Sequence, residues 1–96
     1  MKLYSIKNIQ TDVFNPPFVA RDDVDAKETV RKAIISGRDV SLLVELENFE
    51  LYNIASFDEK TGSFADESPV LVQDLNSVPL PDHVAKLITK LKEVKE

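Results

Sequence analysis

A strand that runs into a tight polar turn is the feature that most constrains what this chain can fold into. Residues 49–57 are rich in aromatic and aliphatic side chains and predict a β-strand. The next five residues, Asp58–Gly62, have the composition of a hairpin turn, in which Gly62 supplies the positive φ that a bulge-type turn needs. The sequence therefore predicts a sheet that is mostly antiparallel.

Further strands are expected on both sides of this hairpin. The return strand is placed near 63–66 or near 69–74, because the proline that begins the second segment makes it an edge or a new strand. Residues 2–9 predict an N-terminal strand from their aromatic and β-branched content. A corner follows at 15–17, where two prolines have no N–H to donate, and a short strand is expected at 18–20.

Two helices are predicted, over residues 22–36 and 82–94. Each begins at an aspartate that can cap the helix, Asp22 or Asp82, and each carries an apolar stripe at helical spacing. Gly37 is placed to end the first helix in the left-handed conformation. The helix at 82–94 is also a candidate for oligomerisation or docking.

The segment 40–46 is apolar and has no clear period, so a short strand and an irregular buried segment fit equally well. Taken together, the elements predict one domain over residues 1–96. Its expected class is α+β, with a small, mostly antiparallel sheet of three to five strands packed by two helices. A homodimer is also expected, because the core is small and 40–46 adds apolar surface.

The composition excludes several kinds of chemistry. With no cysteine, one histidine and two glycines, the chain cannot form a disulfide, a three-histidine metal site or a glycine-rich phosphate cradle. We therefore predict no catalytic, metal or cofactor site and no enzymatic activity. No apolar run is long enough to span a bilayer, so no membrane contact is expected. The net charge of −5 argues against a dedicated nucleic-acid binder.

Two groups of residues are candidates for contact with single-stranded DNA. Aromatic rings beside cations can hold unpaired bases, and such side chains cluster near the N-terminus. On the predicted C-terminal helix, Lys86 and Lys90 share a face and could meet phosphates. The alternatives are that the rings build the core and that the lysines form a solvated helix face. The N-terminal candidates are Tyr4, Lys7, Phe18 and Arg21, with Phe14 and Lys2 nearby.

The carboxylates offer a different candidate surface. A negative surface attracts a basic protein partner, and complementary potentials speed and orient association. The alternative is local, since acidic residues also cap helices and build turns. The predicted acidic partner surface consists of Asp22, Asp23, Asp25, Asp58 and Glu59, with Asp66 and Glu67 nearby.

Three stretches in order resemble one phage family. They are Lys2–Ile6, Asn15–Phe18 before the acidic-capped helix, and Phe49–Tyr52 running into Phe57–Gly62. Together they are similar to the small nonstructural protein of gokushovirus-type microviruses, which are single-stranded DNA phages. The resemblance covers residues 2 to about 75. The apolar segment 40–46 and the lysine-containing helix after Asp82 depart from the family pattern.

The resemblance implies a role in infection without catalysis. Such a protein would act in the host cytoplasm, where it would bind a phage or host replication protein, or the DNA of that complex, and support single-stranded genome synthesis and packaging. Two other hypotheses remain open. One is a scaffolding protein that binds the procapsid, and the other is a generic acidic protein-interaction module.

Overall fold

The computed structural model describes residues 1–94, apart from the side chains of residues 66–68 and 94. This part of the chain forms five strands and three α-helices, an α+β arrangement that confirms the predicted fold class. The strands are β1 (Lys2–Asn8), β2 (Val13–Phe14), β3 (Phe18–Ala20), β4 (Phe49–Asp58) and β5 (Ser63–Asp74). The helices are α1 (Asp23–Ser36), α2 (Val40–Val44) and α3 (Asp82–Val94).

The sheet is antiparallel throughout, with β1 near its middle. Both β2 and β3 pair with one edge of β1, while β4 pairs with the other edge and β5 follows β4. The prolines at 16 and 17 separate β2 from β3. Asn15 keeps the interrupted strand against β1, because its N–H donates to the Ile6 carbonyl (2.8 Å) and its carbonyl accepts from the Ser5 hydroxyl (2.6 Å).

The β4–β5 hairpin forms as the sequence predicts, with Gly62 at φ 71°. The two expected positions of the return strand, 63–66 and 69–74, turn out to be parts of one strand, β5. Pro69 is accommodated because β5 lies at the edge of the sheet and needs no further partner there. The pairing of β1 with β4 shifts register between Asn53 and Ala55, where a bulge adds Ile54 to β4 relative to β1.

The first predicted helix is confirmed at both ends. The Asp22 carboxylate accepts a hydrogen bond from the Asp25 N–H (2.8 Å), and Gly37 ends the helix at φ 66°. Between these caps, Ala26, Val30 and Ile34 fall on one stripe and are buried.

The segment 40–46 is neither a strand nor irregular, so both expectations for it were wrong. It forms α2, capped by the Asp39 carboxylate, which accepts from the Leu42 N–H (3.1 Å). A 3-10 turn, Leu46–Asn48, follows directly. Leu43 and Leu46 lie three residues apart, on one side of this short helical path, and both are buried. The apolar segment therefore completes the core.

The helix α3 covers the core with only part of the apolar stripe predicted for it, which comprised Val84, Leu87, Ile88, Leu91 and Val94. Val84 is buried, while Ile88 and Leu91 pack against the core; Leu87 is exposed. Val94 was part of the predicted stripe, but its side chain lies outside the described residues. No helix within residues 1–94 is long and apolar enough to cross a membrane.

The core occupies only one face of the sheet. Tyr4, Ile6 and Leu51 point towards the helices, with Phe18 and Phe49 beside them. Tyr4 and Ile6 share this face as predicted, because alternate residues of a strand point to the same side. Every strand residue in the described core cluster belongs to this face.

Candidate functional site

The opposite face of the sheet has no helix packed on it, and we call it the open face. Residues directly opposite each other on paired strands point to the same side, so the strand register identifies its members. Starting from Leu3, Ser5 and Lys7 in β1, the described side chains of this face are Leu3, Ser5, Lys7, Phe14, Val19, Glu50, Tyr52, Ala55, Phe57, Phe64, Leu71 and, at the margin, Asp74.

Aromatic rings are concentrated on the open face. The chain has seven aromatic residues, and four of them lie here: Phe14, Tyr52, Phe57 and Phe64. Phe64 is 58% exposed and Phe14 is 38% exposed. The core therefore uses fewer than half of the rings, although aromatic side chains are the largest apolar groups a small domain can bury.

At one end of the open face, Lys7 lies over two rings. Its Nζ is 5.5 Å from the Phe14 centroid and 5.7 Å from the Tyr52 centroid, within cation–π range. The two rings meet edge to face, with centroids 5.6 Å apart and planes at 76°. We call these three residues the Lys7 cluster.

Carboxylates accompany the charge of the Lys7 cluster. Lys7 Nζ lies 2.7 Å from Asp12 Oδ1, and this hydrogen bond raises the pKa of Lys7. Glu50 faces Lys7 across β1 and β4 and accepts a hydrogen bond from the Tyr52 hydroxyl at 3.0 Å. That hydrogen bond is the largest cause of the raised pKa of Tyr52. The lysine is thus held protonated between acidic groups, which leaves little positive potential for a polyanion.

At the other end, the β4–β5 hairpin carries a second ring pair. Phe57 and Phe64 face each other across the strands with centroids 5.0 Å apart. Met1 lies beside them, and its carbonyl accepts from the Phe57 N–H at 2.9 Å. These three residues line an open concavity of about 620 Å³ next to the hairpin turn.

The rings proposed for DNA stacking from the sequence lie elsewhere. Tyr4 is fully buried, and its hydroxyl donates to Asp23 at 2.7 Å. Phe18 stacks on it, with centroids 6.0 Å apart, and packs against the core. The prediction that DNA bases stack on Tyr4 was therefore wrong, because the ring of Tyr4 is buried in the core. Burial, followed by the hydrogen bond to Asp23, raises the pKa of Tyr4 above its usual value.

The predicted DNA-contacting cations are spread over the molecule. Arg21 is exposed, and its Nε lies 3.7 Å from Asp25 Oδ2. Lys86 and Lys90 are exposed on α3, on the helix-covered side of the sheet, and they form no ion pair with a described side chain. Within the described part of the chain, rings and a cation meet on the open face only at Lys7. DNA contact through these cations stays a prediction.

The predicted acidic residues also have structural roles. Asp22 caps α1, Asp23 accepts from Tyr4, and Asp25 accepts from the Arg21 N–H at 3.1 Å. Asp58 accepts from the Lys60 N–H at 2.9 Å in the hairpin turn, next to the exposed Glu59. These local contacts do not prevent the same carboxylates from contributing to the electrostatic field that a partner meets.

Both acidic groups lie at one end of the sheet. Lys2, at the start of β1, pairs with Ala20 on one side and Ser56 on the other. After Ala20 the chain enters α1, and shortly after Ser56 it enters the hairpin turn. We call this region, with Asp22, Asp23, Asp25, Asp58 and Glu59, the acidic end. The side chains of Asp66 and Glu67, also proposed from the sequence, lie outside the described residues.

Sequence reasoning did not single out Tyr52, Phe57 or Phe64 as surface residues. Tyr52 follows Leu51, so the two side chains point to opposite faces, but the sequence does not show which of the two faces is covered. For Phe57 even this relation is lost, because the bulge at Ile54 changes the phase of β4 before it. Across residues 1–94, no group of three or more histidine, aspartate or glutamate side chains is arranged to hold a metal ion.

Comparison with known proteins gives one match. The family model described as "Phage ORF5 protein" matches residues 1–78, which include all five strands, α1 and α2. The helix α3 lies beyond the matched residues. No curated protein and no solved structure matches the chain.

Proposed function

The chain belongs to the phage ORF5 protein family, and we propose that it is a nonstructural accessory protein that acts by binding within the host cytoplasm. Its partner in this proposal is a basic protein of the replication or packaging machinery of the phage. Through that partner it would support synthesis and packaging of the single-stranded genome.

The distribution of charge is the observation that carries this proposal. The chain has 17 acidic and 12 basic side chains, and carboxylates from two separate segments lie at the same end of the sheet, the acidic end. A negative surface of this kind repels the DNA backbone and attracts a basic protein. Direct DNA binding would require several unpaired cations side by side, and the pair proposed for it, Lys86 and Lys90, lies on a face without the rings of the open face.

The first test measures binding of the purified chain to a single-stranded oligonucleotide at low and high salt. We expect weak binding under both conditions. Tight binding with a steep dependence on salt would overturn the proposal, because a steep slope reports release of counterions from phosphates. The double variant Lys86→Gln/Lys90→Gln serves as the matched control, since loss of binding in that variant would assign the contact to α3.

The second test uses the candidate partners directly. We would measure binding of the chain to the replication initiator and to the coat protein of the same phage, after nuclease treatment. Removing two charges at the turn with Asp58→Asn/Glu59→Gln is expected to slow association and weaken its salt dependence. Lys86→Gln/Lys90→Gln should leave binding unchanged. Binding that disappears with nuclease would contradict the proposal.

Copurification with procapsids separates this function from scaffolding. An accessory protein of replication is expected at low copy number or to be absent from purified procapsids. Copy numbers that match the coat protein would replace the proposal with the scaffolding role.

A further inference from the structure

We propose that the open face is the surface on which two copies of this chain associate. This inference does not depend on the identity of the phage partner, because the acidic end lies at the margin of the sheet and the open face lies on its broad side.

The side chains on the open face are not those of a sheet face that meets water. In an antiparallel sheet with one covered face, the uncovered side normally carries polar residues. Here Leu3, Val19 and Leu71 accompany four rings on the uncovered side, and Val19 and Leu71 are 53% and 51% exposed. A continuous apolar surface of this kind marks an interaction site in a monomeric domain.

The size of the open face suits a stable dimer. Four adjacent strand positions span roughly 15–20 Å, and the strands shorten from twelve residues in β5 to ten in β4 and seven in β1. The area is therefore roughly 500 Å² per copy, or about 1,000 Å² for two copies, which reaches the lower bound of about 1,000 Å² expected of a specific interface. The molecule is elongated, with extents of 49 × 26 × 19 Å, so an area of this size fits on its broad side.

The arrangement of the open face suits a twofold axis. The Lys7 cluster lies at one end, the Phe57–Phe64 pair lies at the other, and Leu3 and Val19 lie between them. When two copies are related by a twofold axis through the middle of the interface, the rings of one copy face the rings of the other. The aliphatic centres of the two copies then also face each other. Isologous dimers require this kind of self-complementary surface.

Charge favours a second copy over nucleic acid as the occupant. Lys7, the one described cation on the open face, already has Asp12 and Glu50 beside it. Stacking of unpaired bases on rings normally depends on free cations that follow the phosphates. A second copy needs no such cations, because the central contacts are apolar. The charge of Lys7 is already balanced by Asp12 of the same copy.

The test compares two exposed valines on opposite faces of the sheet. Val19 is on the open face and Val70, 58% exposed, pairs with Asn53 on the other face. Sedimentation of the full chain over a concentration series is expected to show a monomer–dimer equilibrium. Val19→Lys should raise the dissociation constant by about 100-fold or more, because each copy would bring an unpaired charge into the apolar interface. Val70→Lys should leave it unchanged, and circular dichroism checks that both variants fold.

A second variant and three outcomes keep the proposal falsifiable. Leu71→Lys repeats the test on β5 if Val19→Lys fails to fold. A wild-type chain that stays monomeric at millimolar concentration overturns the proposal. So does a dimer that resists both open-face variants but is broken by Leu87→Lys on α3. An oligonucleotide that binds the chain and loses affinity in Phe14→Ala would instead assign the face to nucleic acid.

Discussion

The two faces of this sheet are built from the same strands and differ in what covers them. Leu51 is fully buried under the helices, whereas its neighbour Tyr52 lies on the open face with Phe14 and Lys7. The covered face takes one tyrosine, and so does the open face. Residue type alone therefore does not decide burial in this chain; the decisive factor is where α1 and α3 dock.

The comparison also separates stability from recognition. Apolar groups on the covered face contribute to folding, because they leave water when the chain folds. The same groups on the open face stay partly in water in one copy and contribute only when a second molecule arrives. Substitutions on the two faces should consequently differ in kind as well as in size.

The largest expected difference is between two leucines on adjacent strands. Leu51→Ala should lower the free energy of unfolding by about 2–5 kcal/mol, because it opens a cavity in the core. Leu71→Ala, at a half-exposed position, should cost less than about 1 kcal/mol in the monomer. Urea unfolding at low protein concentration measures both. Equal losses would contradict the distinction between the faces.

The two tyrosines provide the next test. Tyr4→Phe should cost about 1.5–3 kcal/mol at neutral pH, because it removes the hydrogen bond that a fully buried tyrosine donates to the Asp23 carboxylate. Tyr52→Phe should cost less, since Tyr52 itself is only half-buried and its hydroxyl is closer to water.

The pH dependence of the unfolding free energy provides a further way to distinguish Tyr4 from Tyr52. The folded state raises the pKa of Tyr4, so it keeps a proton that the unfolded chain releases near pH 10. The stabilisation is complete below that pH and is lost as the pH rises above it. Tyr4→Phe should therefore flatten the alkaline fall in stability more than Tyr52→Phe does, as measured by urea unfolding on both sides of pH 10. The same alkaline fall in Tyr4→Phe and in the wild type would refute this assignment.

The smallest effect is expected at the two glycines. Gly62→Ala and Gly37→Ala should each cost about 1 kcal/mol, because both positions have positive φ and a methyl group at either one meets no neighbouring atom. The two substitutions therefore introduce similar backbone strain, but only Gly62 lies in the turn of the hairpin that carries Phe57 and Phe64. Sedimentation should show weaker self-association for Gly62→Ala alone. An equal effect of both changes on self-association would break the link between hairpin and interface.

Local signals made most of the elements predictable. The cap at Asp22 and the glycine at 37 fix the ends of α1, and the turn at 58–62 fixes the hairpin. The segment 40–46 failed because a five-residue helix is too short to show a period, so its state depends on the Asp39 cap and on packing.

The candidate surfaces were less predictable than the fold. Carboxylates proposed for a partner were recognisable by charge, but only the pairing of β1 with β3 and β4 brings them to one end. Tyr4 and Tyr52 both follow a leucine in strand-forming stretches, and nothing local distinguishes the fully buried Tyr4 from the half-buried Tyr52. Which face is covered follows from tertiary packing, which the sequence pattern of a two-sided apolar strand does not encode.

The bulge in β4 has a genetic consequence. Because Ile54 is the extra residue, it sets the phase of everything that follows it in the strand, including Phe57. Deleting that single codon would invert the outer half of the hairpin and carry its ring pair to the helix side, while the inner half kept its orientation. A reading-frame-preserving change of three nucleotides could thus switch the partner-facing surface of this small protein without altering any side chain on it.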